Sequence, residues 1–452
     1  MQEFDLIIVG SGSGNSIPSP EFDSWRIALV EKGVFGGTCL NVGCIPSKMF
    51  VYSADTVEHV RHAGTYGVDA TLNGVDWQSI RDRVFGRIDP IAAGGEDYRV
   101  NQCPNISVFR DEGRFVDHKV IQVGDTRITA DKIILGAGAR PFIPDIPGLD
   151  EVGFHTSDTI MRLDEVPRRL AIGGGGYIAC ELGHVFAAMG SEVTIVSRSP
   201  LLLRAEDADI SARFTQAFSE RARLYLGCVP RRVWQDDEGI HLDHEEHGDR
   251  MVTTVDALLW ATGRMPNGDT LDVEQGGIDH DGGRVLVDDT MATNVEGIYA
   301  FGDLVNTFQL KHVANAEAKI AFHNVLNPTQ PQHMDYHCVP HAVFSAPQVA
   351  SVGATEAQLI GERVPYVSAI KDFGSTAYGW ALEDTTGFVK VLAHAETRHL
   401  LGAHIMGPQA STLLQSLIQG MRFGQTVDEM AHGQMWIHPA LSEVVENALL
   451  EL

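Results

Sequence analysis

The sequence has few cysteines and few basic residues relative to acidic ones, and both shortages exclude classes of function. Six cysteines in 452 residues are too few for the disulfide scaffold that small secreted domains use. The formal net charge of −26 disfavours nucleic acid and anionic membranes as partners, because phosphate contacts need clustered Lys and Arg. We therefore expect no nucleic-acid partner and no membrane partner.

Long apolar runs are also missing. No stretch is long enough to span a bilayer, and the start MQEFDLIIVG enters a strand pattern without the basic segment, apolar run and cleavage site of a secretory leader. These features predict a cytoplasmic location. With 44% hydrophobic and 21% charged residues, the chain can bury large cores, and its length favours two or three domains.

The chemistry that is present centres on two cysteines separated by four residues, within GGTCLNVGCIPSK. Small residues precede Cys39, so a flat group can approach, and the apolar spacing after Cys44 predicts a helix that begins near the second sulfur. A helix start stabilises a thiolate through its unpaired N–H groups. A redox-active disulfide is one interpretation; a structural pair or half of a metal site is the other, although no second Cys/His pair follows nearby.

The N-terminal segment has the pattern of a dinucleotide-binding unit. A buried-strand run leads into a glycine turn, and a second strand run ends in Glu31, where a carboxylate can accept from ribose hydroxyls. Asn15 occupies the third glycine position, and Pro18 and Pro20 must shorten or distort the helix that would follow. A plain tight turn is the alternative. The residues assigned to the turn are Gly10, Gly12 and Gly14.

A second glycine turn lies further along the chain. Gly174, Gly176 and Ala179 fit GxGxxA, and a helix pattern follows. The next strand run ends in Arg198 rather than an acid, with Arg204 six residues later. A site for NAD needs a carboxylate at that strand end, whereas two guanidinium groups suit the 2′-phosphate of NADP. We therefore predict NADPH; solvated surface arginines are the alternative.

Further strand runs end in glycine turns at Gly138 and Gly263. In TNVEGIYAFGD, a strand run is followed by Gly302 and Asp303 at a predicted helix start. There Asp303 can orient ribityl hydroxyls, and the helix N-terminus helps to bind a phosphate. Two dinucleotide sites in one chain imply electron relay.

The C-terminal part, beyond about residue 330, is predicted to be a separate α+β domain, with helices from Ser411 to Phe423 and from Pro439 to Leu449. Just before the last helix, His438 precedes a proline, and Glu443 follows five residues later. A histidine held by a glutamate can shuttle a proton near neutral pH. A plain helix start is the alternative.

Together, GGTCLNVGCIPSK, ATGRMPN, TNVEGIYAFGD and HPALSE, in that order along the chain, resemble the class I pyridine nucleotide–disulfide oxidoreductases. The resemblance implies an α/β fold with two Rossmann-like nucleotide-binding domains, for FAD and NADPH, plus a C-terminal α+β dimerisation domain. We place the FAD-binding domain at residues 1–148 and 264–330, the NADPH-binding domain at 149–263 and the dimerisation domain at 331–452.

The resemblance also implies roles for the reactive residues. Cys44 is the charge-transfer thiol beside the flavin, and Cys39 is the interchange thiol that attacks the substrate disulfide. His438, favoured as an imidazolium by Glu443, protonates the departing thiol. In this family that histidine comes from the other subunit, so we expect a homodimer in which His438 completes the partner's site.

The cofactor sites follow from the same resemblance, and no metal is expected. Lys48 and Glu181 form an ion pair near the flavin N5 edge, Tyr177 covers the nicotinamide pocket, and Arg198 with Arg204 bind the NADPH phosphate. The other residues assigned to cofactor binding are Gly10, Gly12, Gly14, Glu31, Lys32, Gly37, Thr38, Gly138, Gly174, Gly176, Gly263, Gly302 and Asp303.

The substrate is predicted from stretches outside the shared motifs. Residues 83–90, 377–384 and 434–440 resemble family members that reduce mycothione, the disulfide of a sugar-linked cysteine thiol. Such a site needs polar and aromatic groups for hydroxyls more than the cationic clamps that glutathione disulfide requires. Packing at a dimer interface is the alternative for these aromatic-rich segments.

Other functions remain as alternatives. A dihydrolipoamide dehydrogenase uses NAD and usually has an acid where Arg198 stands, and glutathione reductase is a further possibility within the family. The C-terminus carries no extra cysteine, which disfavours mercuric reductase and the large thioredoxin reductases. Outside the enzymes, a non-catalytic flavin-binding scaffold or a metal module using Cys39 and Cys44 would fit.

Overall fold

In the computed structural model, which describes residues 1–246 and 248–452, the chain is a mixed α/β protein, as predicted. The strands are β1 Gln2–Val9, β2 Ile27–Val30, β3 Ile106–Phe109, β4 Gly113–Asp117, β5 Val120–Val123, β6 Thr126–Leu135, β7 Ala139–Pro141, β8 Arg169–Gly173, β9 Glu192–Ser197, β10 Arg223–Leu226, β11 Arg232–Asp236, β12 Gly239–Glu246, β13 Asp249–Val255, β14 Ala257–Trp260, β15 Arg264–Pro266, β16 His280–Asp281, β17 Arg284–Val285, β18 Ile298–Ala300, β19 Pro340–Val343, β20 Val349–Gly353, β21 Tyr366–Asp372, β22 Phe388–His394 and β23 Leu400–Met406. The α-helices are α1 Gly37–Asn41, α2 Cys44–Arg61, α3 Trp77–Asn101, α4 Ser157–Ile160, α5 Tyr177–Met189, α6 Ala208–Phe218, α7 Lys311–Leu326, α8 Glu356–Glu362, α9 Ala377–Ala381, α10 Ala410–Arg422, α11 Val427–His432 and α12 Ser442–Leu450.

The contacts divide the chain into two compact units. The first unit comprises Met1–Ser47, Arg81–Phe142 and Gly263–Asp335. The second unit comprises Lys48–Ile80, Ile143–Thr262 and Tyr336–Leu452.

The first unit is built on a sheet of order β3-β2-β1-β6-β5-β4, with β18 also paired to β6. Strands β3, β2, β1, β6 and β18 run parallel, whereas β4 and β5 pair antiparallel. Successive residues of β1 enter different hydrophobic clusters, because side chains alternate between the two faces of a strand: Leu6 and Ile8 lie in one cluster, Ile7 and Val9 in the other. The glycine turn follows β1 at the carboxyl edge, where ligands bind in parallel sheets.

The connection from β1 to β2 is irregular, as the prolines predict. It contains two short 3₁₀ turns, Ser13–Ser16 and Pro20–Phe22, in place of a crossover α-helix. The helix start predicted at Asp303 is that of a short 3₁₀ helix and not of an α-helix. Residues Gly302–Leu304 form a single 3₁₀ turn, closed by a hydrogen bond from Val305 N to Gly302 O, and the α-helix begins only at Lys311.

The second unit contains a parallel sheet of order β10-β9-β8-β14, in which α5 connects β8 to β9. It also contains the antiparallel sheets β11-β12-β13 and β19-β20-β23-β22-β21. Helix α12 begins three residues after the predicted start at Pro439, and the Ala440 N–H before it donates to the carboxylate of Glu443. None of the helices that the structure describes is long and apolar enough to cross a membrane.

Candidate active site

The two cysteines of the redox segment lie together in the first unit, where their side chains are hydrogen-bonded to each other. Cys44 is the first residue of α2, as predicted, and is exposed, whereas Cys39 lies half-buried in α1. The pKa of Cys39 is raised by its hydrogen bond to Cys44, by burial and by the charge that Cys44 would carry, while Lys311 lowers it. This arrangement favours Cys44, at the helix start, as the sulfur that holds negative charge.

Backbone packing places the redox segment directly on the first glycine turn. Gly37 has φ +69°, and a Cβ there would lie 2.7 Å from the Gly12 Cα. Asn41, which is 5% exposed, donates from its amide to Phe35 O at 2.9 Å and Gly37 O at 3.0 Å. A side chain at position 37 would separate the two segments, so this contact requires glycine.

The predicted ribose-binding carboxylate lies against the same turn. Glu31 accepts hydrogen bonds from Ser11 N at 2.8 Å, Ser11 Oγ at 2.7 Å and Gly33 N at 2.7 Å. A Cβ on Gly10 would lie 2.3 Å from Gly136 O, which explains the close approach of the turn to the end of β6. These bonds fix the position of the Glu31 carboxylate beside the first glycine turn.

Asp303 lies in the 3₁₀ turn that follows β18 in the first unit. Its carboxylate is 4.0 Å from Arg264 Nε and accepts no hydrogen bond from any residue the structure describes. Burial raises the pKa of Asp303, against the opposing charges of Arg264 and Lys311. The turn is held by fully buried Glu317, which accepts from Gly302 N at 2.7 Å. A half-buried carboxylate without a donor suits a ligand that brings hydroxyl groups.

Two basic residues support the first glycine turn, and no local sequence pattern indicates either of them. Lys311 Nζ donates to Ser13 Oγ at 2.7 Å, which brings a positive charge to a turn that has no α-helical N-terminus. Arg99 donates to Asn15 Oδ1 at 2.9 Å and to Asn15 O at 2.7 Å. Asn15, in the third glycine position, is therefore an acceptor for Arg99.

The other residues predicted for the flavin site are less directly placed. Lys32 is exposed and donates to Glu112 at 2.8 Å, so its ammonium is directed to the surface. Thr38 is exposed in α1. The remaining members lie in turns or at their edges: Gly14, Gly138 with φ +64° and Gly263 with φ +129°.

The second glycine turn repeats the geometry of the first one, within the second unit. Gly174 has φ +121°, and a Cβ there would lie 2.3 Å from Ala261 O. Gly176 is the N-cap of α5, and a Cβ there would meet nothing within 4 Å. Tyr177, the first residue of α5, is 40% exposed. An open backbone at the N-terminus of a 13-residue helix fits a pyrophosphate.

The predicted phosphate-binding arginines follow β9. Arg198 and Arg204 are both exposed, and neither has an ion pair with a residue that the structure describes. Leu203 N donates to Gly175 O at 2.7 Å, so the segment that carries Arg204 is tied to the second glycine turn.

Lys48 and Glu181 form an ion pair between α2 and α5. Lys48 Nζ lies 2.8 and 2.6 Å from the two carboxylate oxygens, and Glu181 is 4% exposed. Phe344 N also donates to Glu181, at 2.9 Å. A second pair joins the same helices, with His184 Nε2 2.9 Å from Asp55 Oδ1. The charge of Lys48 is therefore fixed in position.

His438 and Glu443 form a pair at the start of α12. His438 Nδ1 lies 2.6 Å from Glu443 Oε1, and this hydrogen bond lowers the pKa of Glu443. The His438 side chain is 73% exposed within one chain, and it lies among exposed apolar residues, with Met435 99% and Ile437 74% exposed. Apolar exposure of this extent marks an interaction surface.

The described residues include no group of three or more His, Cys, Asp or Glu side chains placed to hold a metal ion.

The profile of the pyridine nucleotide-disulphide oxidoreductase family matches residues 4–318. The chain belongs to this family. The profile of the family's dimerisation domain matches residues 339–449, as the predicted fold class requires.

Several relatives are similar to this oxidoreductase over most of their length. Mycothione reductase from Mycobacterium tuberculosis is 47% identical over 465 residues, covering 100% of both chains. Dihydrolipoyl dehydrogenase from Haloferax volcanii is 33% identical, covering 98% of this chain and 96% of its own. Mercuric reductase from Staphylococcus aureus is 31% identical, covering 95% and 79%. A Cu(II) complex of the HOCl-induced flavoprotein disulfide reductase RclA from Escherichia coli superposes with a TM-score of 0.88 at 26% identity, covering 100% of both chains.

These findings confirm the predicted family, fold class and enzyme type. This oxidoreductase is a flavin-dependent disulfide reductase that uses FAD and NAD(P)H, acts on small-molecule disulfides and carries a dimerisation domain that supports a homodimer. Its residues fit both cofactors: Asp303 is a carboxylate without a hydrogen-bond donor, and Gly176 leaves an open backbone at a helix N-terminus.

Proposed function

We propose that this oxidoreductase reduces mycothione to mycothiol with electrons from NADPH. The choice of substrate is supported by the 47% sequence identity to mycothione reductase over the whole of both chains. The relatives of other named activity described above are 33% identical or less. We propose that it works in the cytoplasm, because in a reducing compartment a cysteine pair such as Cys39 and Cys44 is more often catalytic than structural. We also propose that residues 1–148 and 264–330 form the FAD-binding domain, residues 149–263 the NADPH-binding domain and residues 331–452 the dimerisation domain.

Two-electron transfer from NADPH to the Cys39–Cys44 disulfide is the chemistry that bound FAD would supply. The reduced pair then performs thiol–disulfide exchange. Cys39 Sγ attacks one sulfur of the substrate, forms a mixed disulfide and displaces the first thiolate. Cys44 Sγ attacks Cys39 Sγ, displaces the second thiolate and restores the disulfide, so that the substrate gains two electrons and two protons.

The charged residues of the chain support these exchanges. We propose that His438, oriented by its hydrogen bond to Glu443, donates a proton to the departing thiolate. His438 acts in the site of the partner subunit. Lys48 follows Cys44 by four residues in α2, and its bond to Glu181 fixes a positive charge for the flavin edge. Tyr177, at the exposed start of α5, covers the nicotinamide.

The substrate proposal is tested by comparing turnover of mycothione, glutathione disulfide and lipoamide under the same conditions, once with NADPH and once with NADH. We expect kcat/KM for mycothione to exceed both others by at least about 100-fold, the scale on which a shaped site discriminates. A preference for lipoamide with NADH would instead favour dihydrolipoamide dehydrogenase. Flavin binding without turnover of any disulfide would favour the scaffold alternative.

The choice of NADPH is supported by Arg198 and Arg204, which are exposed and have no carboxylate partner in the described chain. Each charge-assisted bond to a phosphate contributes about 1.5–3 kcal/mol. Changing both to alanine should therefore lower the NADPH-over-NADH ratio of kcat/KM by about 100-fold or more. The matched control is Arg213→Ala on α6, since Arg213 pairs with Asp372 at 2.7 Å and should leave the ratio unchanged. An unaltered ratio in the double variant would remove both arginines from phosphate recognition.

A further inference from the structure

A buried lysine of the dimerisation domain is surrounded by three carboxylates. Lys390 lies in β22 and is 1% exposed, with Nζ 2.8 Å from Asp207, 2.6 Å from Asp209 and 2.7 Å from Glu356. Burial opposes its charge, but these hydrogen bonds raise the pKa of Lys390 above its ordinary value. Buried ion clusters are weak evidence for stability, because well-packed apolar groups often replace them without loss. This cluster therefore calls for another explanation.

Asp207 and its neighbour Glu206 tie one short segment of the nucleotide-binding part to the dimerisation domain. Asp207 is fully buried, caps α6, and accepts from Glu356 N at 3.0 Å. Its neighbour Glu206 accepts from His341 Nε2 at 2.7 Å and from Ser351 Oγ at 2.6 Å. Burial opposes the ionisation of Glu206, yet these bonds lower its pKa. Two consecutive residues are thus anchored to strands β19, β20 and β22 and to helix α8.

Arg204 lies between these anchors and the second glycine turn. On its N-terminal side, Leu203 N donates to Gly175 O at 2.7 Å, and Leu203 O accepts from Ser211 Oγ at 2.8 Å. On its C-terminal side lie Glu206 and Asp207. The backbone is fixed on both sides while the side chain of Arg204 stays exposed. A cation held in this way loses less conformational entropy when it binds an anion.

We propose that Lys390 is a positioning residue for recognition of the 2′-phosphate of NADPH, acting through Asp207 on the segment that carries Arg204. This inference rests on the proposed role of Arg204 and deepens it. The sheet of the dimerisation domain, which touches no nucleotide in this account, thereby contributes to the choice between the two nicotinamide cofactors.

The experiment measures binding of adenosine 2′,5′-bisphosphate and of 5′-AMP to the flavin-loaded protein by calorimetry. In Lys390→Met, the affinity for adenosine 2′,5′-bisphosphate should fall about tenfold, within the usual range of coupling between sites, and the affinity for 5′-AMP should stay unchanged. Lys371→Met is the matched control. Lys371 lies in the neighbouring strand β21 and pairs with Glu451 at 2.6 Å, so its loss should alter neither affinity.

Further variants separate this inference from the assignment of Arg204. In an Arg204→Ala background, Lys390→Met should cause no additional loss, because the two residues act in series. If Arg204→Ala loses the preference for adenosine 2′,5′-bisphosphate over 5′-AMP but a folded Lys390→Met keeps it, the positioning role of Lys390 is overturned and the assignment of Arg204 stands. If the unaltered protein shows no preference, both assignments fail. If Lys390→Met does not fold, the same measurement is made on Asp207→Asn, because asparagine is also a good N-cap residue. An unchanged preference for adenosine 2′,5′-bisphosphate in Asp207→Asn overturns the inference.

Discussion

Cys39→Ser should lose disulfide reduction by at least about 10³-fold while the bound flavin is still reduced by NADPH at the rate of the unaltered protein. Serine has nearly the same shape as cysteine but cannot form a mixed disulfide. Electron entry does not use the Cys39 nucleophile, so only the half of the cycle that meets the substrate should fail. Rapid-mixing measurements of the two half-reactions separate these outcomes.

The matched control for this variant is Cys103→Ser. Cys103 is also a half-buried free thiol of the first unit, and its sulfur contacts Arg99 Nη1 at 3.7 Å rather than the other reactive sulfur. Its replacement should leave turnover within about twofold of the unaltered protein, as for substitutions away from functional groups. Disulfide turnover retained by Cys39→Ser would remove that residue from the proposed exchange.

His438→Ala should slow reoxidation by the disulfide substrate by about 10² to 10⁴-fold, the usual contribution of a positioned acid–base group. Reduction of the flavin should be unaffected. Glu443→Gln should cause a smaller loss, because it keeps a hydrogen-bond acceptor near His438 Nδ1 but removes the negative charge that favours the imidazolium. The hydrogen bond from His438 lowers the pKa of Glu443, so the carboxylate remains charged at neutral pH. Equal losses in both half-reactions would contradict the assignment.

A mixture of two inactive variants tests which chain supplies the histidine. If His438 completes the partner's site, a heterodimer of Cys39→Ser and His438→Ala chains contains one intact site. Random reassociation of equal amounts should then restore about a quarter of the activity of the unaltered protein. A mixture that stays inactive, although heterodimers form, would place His438 in the site of its own chain.

Features that depend on a few residues close together in the sequence could be predicted from the sequence alone. The glycines at positions 10, 37 and 174 have positive φ and sit where a Cβ would strike another backbone, so these positions require glycine. The helix start at Cys44 follows from apolar spacing over the next residues. The irregular connection after β1 follows from Pro18 and Pro20.

Long-range contacts could not be predicted in this way. Lys311 and Ser13 are 298 residues apart, and Arg99 and Asn15 are 84 apart, so no local pattern joins either pair. The ion pair of Lys48 and Glu181, 133 residues apart, was expected only from the resemblance to a family. At Asp303 the type of helix could not be predicted, because a single 3₁₀ turn and the start of an α-helix share the same short signal, Gly-Asp after a strand.

The central claim is that the Cys39–Cys44 pair accepts electrons from the flavin before the substrate does. Stepwise anaerobic reduction of the oxidised, flavin-loaded protein tests it most directly, with absorbance and thiol alkylation followed together. The account predicts that the first two electrons per chain create two alkylatable thiols at Cys39 and Cys44, with new long-wavelength absorbance and little loss of the oxidised flavin band. Bleaching of the flavin by those first electrons, with neither thiol becoming alkylatable, would contradict it.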